Sequence, residues 1–308
     1  MRVAIVVNGS GGTVASAGDG LVDELRRALD RADVDATILV VDPKMLVDAF
    51  ADAAQDQNFD ALIAGGGDGT VSLAAAAAIR HQRTLGILPL GTLNHLARDA
   101  GIPTDIDGAV EVIARGNAKL IDVAEVNGRL FVNNSGVGLY PVMVRSREAQ
   151  ERAFGRSKRM AMLVASVRAL RHFGQHRLTI RAAGLEEPIQ TPLLFVGNNI
   201  YETSLLTLGR RTALDKNELC LYAMLARTRR RLIGLALRGL IGTLDQQRDF
   251  ISLTGVREAE IDAGLPTLTV SADGETFRLD TPLRYRLHPR ALSLLAPPPK
   301  APGEQRRD

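Results

Sequence analysis

Short apolar runs closed by glycine, each leading into residues spaced as on a helix, recur along the first third of the chain. Residues 3–7 are consecutively apolar and end in Asn8-Gly9-Ser10-Gly11-Gly12-Thr13. Leu21, Leu25, Ala28 and Leu29 then recur at helical spacing. Residues 37–41 predict a second strand and 45–54 a helix. Residues 61–64 predict a third strand, followed by Gly65-Gly66-Gly67-Asp68-Gly69-Thr70 and an alanine-rich helix over 71–78. Residues 85–88 predict a fourth, ending in Pro89-Leu90-Gly91-Thr92-Leu93-Asn94 with a helix starting at 95–98. Strands that alternate with helices predict a parallel sheet covered on both faces. Ligands of such sheets bind beyond the carboxyl ends of the strands, and all three glycine turns fall at that edge.

After Gly101-Ile102-Pro103 and a helix over 109–114 the pattern changes. Residues 120–126 and 130–132 flank Asn127-Gly128, a strong hairpin signal. Further strands are predicted at 178–182, 193–196, 219–225, 250–254, 260–262, 268–272 and 276–279, interrupted by helices over 141–173 and 228–244. The chain therefore divides into an α/β domain over 1–123 and an antiparallel β domain over 124–283. The proline-rich, charged end, 297–308, reads as a disordered tail.

Composition narrows the class. A chain of 308 residues accommodates two domains with real cores. A net charge of +3, no tryptophan and 4% aromatic residues give no sign of a nucleic-acid partner. The single cysteine, Cys220, cannot form an intrachain disulfide, which suits a reducing cytosol, and in Leu219-Cys220-Leu221 it reads as core. The apolar run at the start is too short for a signal peptide, and no segment reads as membrane-spanning. Contact with lipid is then expected at the surface.

The loop around Asp68 carries the chemistry. A strand, a glycine turn and a helix start bring backbone N–H groups and the positive end of a helix dipole together, which suits phosphate. An acidic side chain there would repel phosphate unless a divalent cation lay between, so Asp68 reads as linked to Mg²⁺, the alternative being a helix cap. The first turn is no Walker A loop, since the first lysine of the chain is Lys44, and it lacks the dinucleotide-binding glycine pattern; Asn8 and the amides after it still suit a nucleotide pocket. Late in the chain, Asp273-Gly274 predicts a hairpin turn, and Glu275 directly after it is a candidate general base for a substrate hydroxyl.

In this order and spacing, Asn8 to Gly12, Gly66-Gly67-Asp68-Gly69-Thr70, the segment from Pro89 to Arg98, Ile121-Asp122-Val123 and Asp273-Gly274-Glu275 resemble the diacylglycerol kinase catalytic-domain family, which includes bacterial lipid kinases and sphingosine kinases. The resemblance covers nearly the whole chain. The Gly-Gly-Asp-Gly-Thr loop is shared with NAD kinases and phosphofructokinases; the Pro-Leu-Gly-Thr-x-Asn segment and the late Asp-Gly-Glu are not. The resemblance implies an α/β nucleotide domain, a β-sandwich lipid-substrate domain, an active site in the cleft between them, and a final segment, 284–296, returning to the first domain. It implies that Asn8, Gly9, Ser10, Gly11, Gly12, Gly66, Gly67, Asp68, Gly69, Thr70 and Thr92 bind ATP, that Asp68 holds the catalytic Mg²⁺ through water, and that Glu275 accepts the proton. The activity so implied is transfer of the γ-phosphoryl group of ATP to a lipid hydroxyl such as that of diacylglycerol.

The chain departs from the family pattern in places. Gly9 replaces a common proline, Ser72 a common asparagine, and Thr13 and His95 stand where lysine and aspartate are usual. Asp122 and Lys158 are candidates for what remains of that charge network. Where relatives carry an Asp-Asp-Gly element holding a structural Mg²⁺, this chain has Asp215-Lys216-Asn217, and a lysine there repels a cation, so no metal is expected at that place.

Arg145, Arg147, Arg152, Arg156, Lys158, Arg159, Arg168 and Arg171 form one basic cluster, and Arg227, Arg229, Arg230 and Arg231 precede an apolar run over 232–237. Both suit peripheral docking on an anionic membrane surface from the cytoplasmic side, the alternative for each being a solvated charged face over a core helix; a homodimer is left open. The rival readings are a soluble-substrate kinase of the NAD kinase type and an inert nucleotide or lipid sensor.

Overall fold

The computed structural model describes residues 1–10, 19–141, 176–183, 185–201, 211, 213–226, 228–240 and 249–298. The chain forms two compact units, one of Met1–Ile121 with Ala291–Asp308, the other of Asp122–Arg290.

In the first unit β1 (Arg2–Asn8), α1 (Asp19–Arg31), β2 (Asp35–Val41), a short 3-10 turn (Pro43–Met45), α2 (Leu46–Gln55), β3 (Ala61–Gly66), α3 (Asp68–Arg80), β4 (Thr84–Pro89), α4 (His95–Asp99) and α5 (Ile106–Arg115) follow one another. The strands lie in the order β2-β1-β3-β4 and run parallel throughout. Val3 to Val7 and all of β3 are buried, which is why these strands read as unbroken apolar runs and not as alternation. The alanine run of α3 turns Ala74, Ala75 and Ala78 inward; such small side chains let a helix lie close to its sheet. Helix α5 starts at Asp105, whose side chain accepts the Gly108 N–H at 2.8 Å, and ends at Gly116 in the left-handed conformation. The parallel order matches the sequence reading, and the helix expected at 95–98 is only five residues long. The last strand, β16 (Leu283–Leu295), ends beside β4 and parallel to it, with Leu294 opposite Leu85 and the Thr84 and Ser293 hydroxyls 3.1 Å apart.

The second unit is antiparallel. β5 (Ala118–Val126), which enters it from the first unit, and β6 (Arg129–Phe131) form the expected hairpin, with Asn127 and Gly128 both at positive φ as a two-residue turn requires. A six-stranded sheet has the order β12 (Phe250–Val256), β11 (Leu219–Met224), β10 (Leu193–Asn198), β7 (Asn134–Gly138), β14 (Thr267–Ala272), β15 (Glu275–Asp280). The other sheet joins β9 (Leu185–Thr191), β8 (His176–Ala182), β13 (Glu258–Asp262) and β16, with β5 pairing β16. Phe131, Val137, Ile180, Leu194, Leu221, Ile261, Val270 and Tyr285 belong to one buried cluster supplied by both sheets, which makes this unit a sandwich. The opposite face of the six-stranded sheet is also covered: Phe195, Cys220, Tyr222 and Met224 pack with Leu235 of α6 (Arg229–Leu240).

β9 was absent from the sequence reading. Its Glu186, Glu187 and Pro188 break the apolar alternation, and an edge position tolerates all three. The helix expected over 141–173, with the basic cluster it carries, and nearly all of the tail over 297–308 lie outside the described residues.

Candidate nucleotide and hydroxyl-transfer site

Strand β1 ends at Asn8, and this side chain ties the first turn to the second. Its Oδ1 accepts from the Ser10 N–H at 3.1 Å and the Ser10 hydroxyl at 3.2 Å, while its Nδ2 donates to Thr70 Oγ1 at 3.1 Å. The Gly9 N–H donates to the Val41 carbonyl at 2.9 Å, anchoring the same turn to β2. Gly11 and Gly12 lie outside the described residues.

The second turn is built by close approach. A Cβ on Gly66 would come within 2.6 Å of Thr70 Oγ1, so the Thr70 side chain, itself buried, occupies the space over that glycine. Gly67 precedes α3, and Asp68 and Gly69 open it, half-buried. The third turn lies directly against the second: a Cβ on Gly91 would sit 2.3 Å from the Gly67 Cα. Leu90 N–H donates to the Gly66 carbonyl at 3.1 Å, and the Asp68 carboxylate accepts the His95 N–H through Oδ1 at 2.7 Å. Asp68 thus belongs to the start of α3 by sequence and to the start of α4 by its side chain. Thr92 is exposed on the third turn.

This geometry gives a clear expectation for Gly91→Ala. The nearest obstacle is backbone and cannot rotate away, so the two turns must part. A displacement of about 1 Å at a reacting centre costs roughly 100-fold in rate. The variant is expected to show that scale of loss in phosphotransfer with a near-native circular dichroism spectrum, and rates like wild type would detach the turn contact from function.

As for a metal, no group of three or more His, Cys, Asp or Glu side chains that could hold one occurs among the described residues. Mg²⁺ carried in with a nucleotide keeps several waters and needs only one or two protein carboxylates. Asp68 is the carboxylate at these turns.

In the second unit Glu275 is exposed and opens β15, paired with Ala272 across a turn whose two residues, Asp273 and Gly274, both have positive φ. Asp273 does more than turn the chain. Buried at 8% exposure, its carboxylate accepts three backbone N–H groups, of Val132 at 2.7 Å, Asn133 at 2.8 Å and Asn134 at 3.2 Å. The turn that presents Glu275 is thereby fastened to the start of β7.

Asp122, a candidate with Lys158 for what remains of a charge network, serves the backbone of this unit. Its buried carboxylate accepts the Asn217 N–H at 2.7 Å and the Arg290 N–H at 2.9 Å. Lys158 lies outside the described residues. Around the stretch where a structural metal was not expected, Lys216 is exposed, its N–H donates to Asn199 Oδ1 at 2.8 Å, and Asn217 is left-handed. Nearby, the buried Arg211 guanidinium donates to the carbonyls of Val132 at 2.6 Å and Asn198 at 3.2 Å and to Asn133 Oδ1 at 2.8 Å. These loops are held by side-chain amides, a carboxylate and a guanidinium. A chelator is accordingly expected to leave the melting temperature unchanged, and a fall on adding it would reveal a metal in this fold.

Sequence reasoning passed over Asn133, Asn134, Asn198, Asn199 and Arg211. A signal existed in the two Asn-Asn pairs, each closing an apolar run, since polar residues there serve the chain's backbone groups. Cys220 is core, as read: burial, with the Glu218 carboxylate adding to it, pushes its thiol up to about 12.

Comparison with known proteins agrees with these motifs. Residues 2–126 match the family described as Diacylglycerol kinase catalytic domain. Over 93 residues the chain is 43% identical to a Citrobacter koseri protein named "Probable lipid kinase YegS-like", a match covering 29% of this chain and 31% of that protein. Over 95 residues it is 40% identical to a Staphylococcus saprophyticus protein named "Diacylglycerol kinase", covering 30% and 31%. The matched stretch thus spans about a third of the length of these relatives. The crystal structure of a diacylglycerol kinase from Bacillus anthracis superposes with a TM-score of 0.68 at 19% identity, over 96% of this chain and 97% of that one, a likeness of fold. An α/β unit with a parallel sheet joined to an antiparallel sandwich is the fold class expected from the sequence.

Proposed function

We propose that this chain, whose residues 2–126 match the diacylglycerol kinase catalytic domain, is a lipid kinase that transfers the γ-phosphoryl group of ATP, with Mg²⁺, to a lipid hydroxyl such as that of diacylglycerol. The observation that carries the reading is the Asp68 carboxylate, set where two glycine turns are packed backbone to backbone and bonded to the His95 N–H. Amides of Gly67 and Gly69, with Thr92, bind the triphosphate in the first unit; the Gly9 and Ser10 amides are spent on Val41 and Asn8 and shape the first turn. Asn8 and Thr70 hold the turns in place. Asp68 would hold Mg²⁺, which when bound would supply neutralising charge for the phosphoryl oxygens.

We assign the lipid to the second unit. Glu275 takes the hydroxyl proton as the lipid oxygen bonds to the γ-phosphorus and the bond from that phosphorus to the ADP oxygen breaks, so a neutral carboxyl and ADP are left. No helix among the described residues is long and apolar enough to cross a membrane. On α6, Arg230, Arg231 and Ile233 are exposed, with Ile233 at 42%, and this basic and apolar surface supports docking on an anionic membrane.

The test is incubation with labelled ATP and diacylglycerol, phosphatidylglycerol, sphingoid bases or NAD. Label is expected in a lipid. Label in NAD alone would favour a soluble-substrate kinase, and bound ATP with no transfer would favour a sensor. Binding to anionic vesicles is expected to weaken as salt is added, and binding indifferent to salt would remove the electrostatic part of the docking.

A further inference from the structure

The shape of the third glycine turn is set by Asn94, to which the motifs alone give no role. Its backbone is left-handed at φ 51° and ψ 49°, a conformation that asparagine adopts more readily than most residues and β-branched residues strongly resist. The residue is buried at 7% exposure, and both ends of its side chain are used within its own turn. Oδ1 accepts the Gly91 N–H at 3.0 Å, and Nδ2 donates to the Pro89 carbonyl at 3.0 Å and the Gly91 carbonyl at 2.7 Å. Its own carbonyl accepts the Arg98 N–H at 3.0 Å, which starts α4. A primary amide is the side chain with one acceptor and two donors at this length. Aspartate offers the acceptor and no donor, and glycine fits the backbone with neither.

Two consequences follow from that closed ring. Gly91 is held with its Cα side against Gly67, and the amide next after Asn94, His95 N–H, reaches Asp68 Oδ1 at 2.7 Å. Thr92 is thereby presented from a turn that is held by bonds between the Asn94 side chain and the turn's own backbone.

We propose that Asn94 is a positioning residue of the nucleotide site, which folds residues 89–94 so that Asp68 and Thr92 are pre-set for Mg²⁺-ATP and does not itself touch the nucleotide. The inference rests on the kinase reading above. Asn94→Asp keeps the acceptor for Gly91 N–H and turns an oxygen toward the Pro89 and Gly91 carbonyls; Asn94→Gly keeps the left-handed backbone and removes the ring.

The full chain is tested by calorimetric titration with Mg²⁺-ATP and by kinetics in which nucleotide and lipid are varied separately, well below each variant's melting temperature. Both variants are expected to raise the dissociation constant and the KM for Mg²⁺-ATP about tenfold or more and to leave the lipid KM unchanged. Folded variants that bind Mg²⁺-ATP as wild type does, whatever their melting temperature, would overturn the proposal, as would equal rises in both KM values. Hydrogen exchange on wild type needs no variant: the Gly91 amide is expected to be protected without nucleotide, and fast exchange there would overturn it equally. Failure of the wild-type chain to bind Mg²⁺-ATP would instead strike the kinase reading.

Discussion

Asp68→Asn is expected to lower phosphotransfer about 1000-fold or more, the scale set by losing preorganised charge at a phosphoryl group, while the melting temperature stays near that of wild type. The two effects separate because the carboxylate serves two purposes. Its Oδ1 accepts the His95 N–H at 2.7 Å, and asparagine retains an oxygen for that bond. What asparagine lacks is the negative charge that the proposed kinase reading assigns to holding hydrated Mg²⁺. Asp68→Ala removes the acceptor as well and is expected to cost about 0.5–1.5 kcal/mol of stability besides the activity. Turnover and melting are measured on the same preparations, so a general loss of fold cannot pass for a catalytic effect. Wild-type turnover in Asp68→Asn would remove the residue from the reaction and leave it a tie between two helix starts.

Asp273→Ala is expected to be the most destabilising of the substitutions considered. The buried carboxylate is the acceptor of three backbone N–H groups, of Val132, Asn133 and Asn134, and alanine leaves all three without it. Each such buried donor costs about 1–3 kcal/mol, so a loss of about 3 kcal/mol or more is expected from a stability that for most domains is only about 5–15 kcal/mol. Thermal unfolding followed by circular dichroism should show a fall of about 10 °C or more. Asp273→Asn keeps one oxygen for Asn133 and Asn134 and turns an amide group toward the Val132 N–H, so its fall should be intermediate. A melting temperature for the alanine variant equal to that of wild type would mean that the three amides find other partners. Because the same turn presents Glu275, activity in Asp273→Asn should fall more than its stability alone accounts for.

The parallel half of the fold was legible because buried strands of this kind must be apolar throughout and must stop where the backbone turns. Val3 to Val7, Ala61 to Ala64 and Leu85 to Leu88 obey both demands. The Asn127-Gly128 and Asp273-Gly274 turns were legible for a local reason also, positive φ at two successive residues. What escaped was non-local. Nothing in the vicinity of Asp273 in sequence announces that its acceptors serve amides about 140 residues away, and the Asp122 carboxylate reaches Asn217 and Arg290 in the same manner. Asn94 stood inside a recognised segment and was passed over because its side chain serves its own loop. β9 escaped for the opposite reason: an edge strand tolerates charge and proline, and Glu186, Glu187 and Pro188 leave its sequence no rhythm to read.

The bond from Arg290 to Asp122 has a consequence for how such a chain is put together. These are the first and last residues of the second unit, and one carboxylate holds the point of entry to the point of exit at 2.9 Å. A module whose two ends meet is spliced into a host loop without prying the host open. During synthesis the host has to wait: its fifth neighbour, residues 291–295, leaves the ribosome only after the whole insert, so the guest has every residue it needs to fold before the first-made half can complete its sheet.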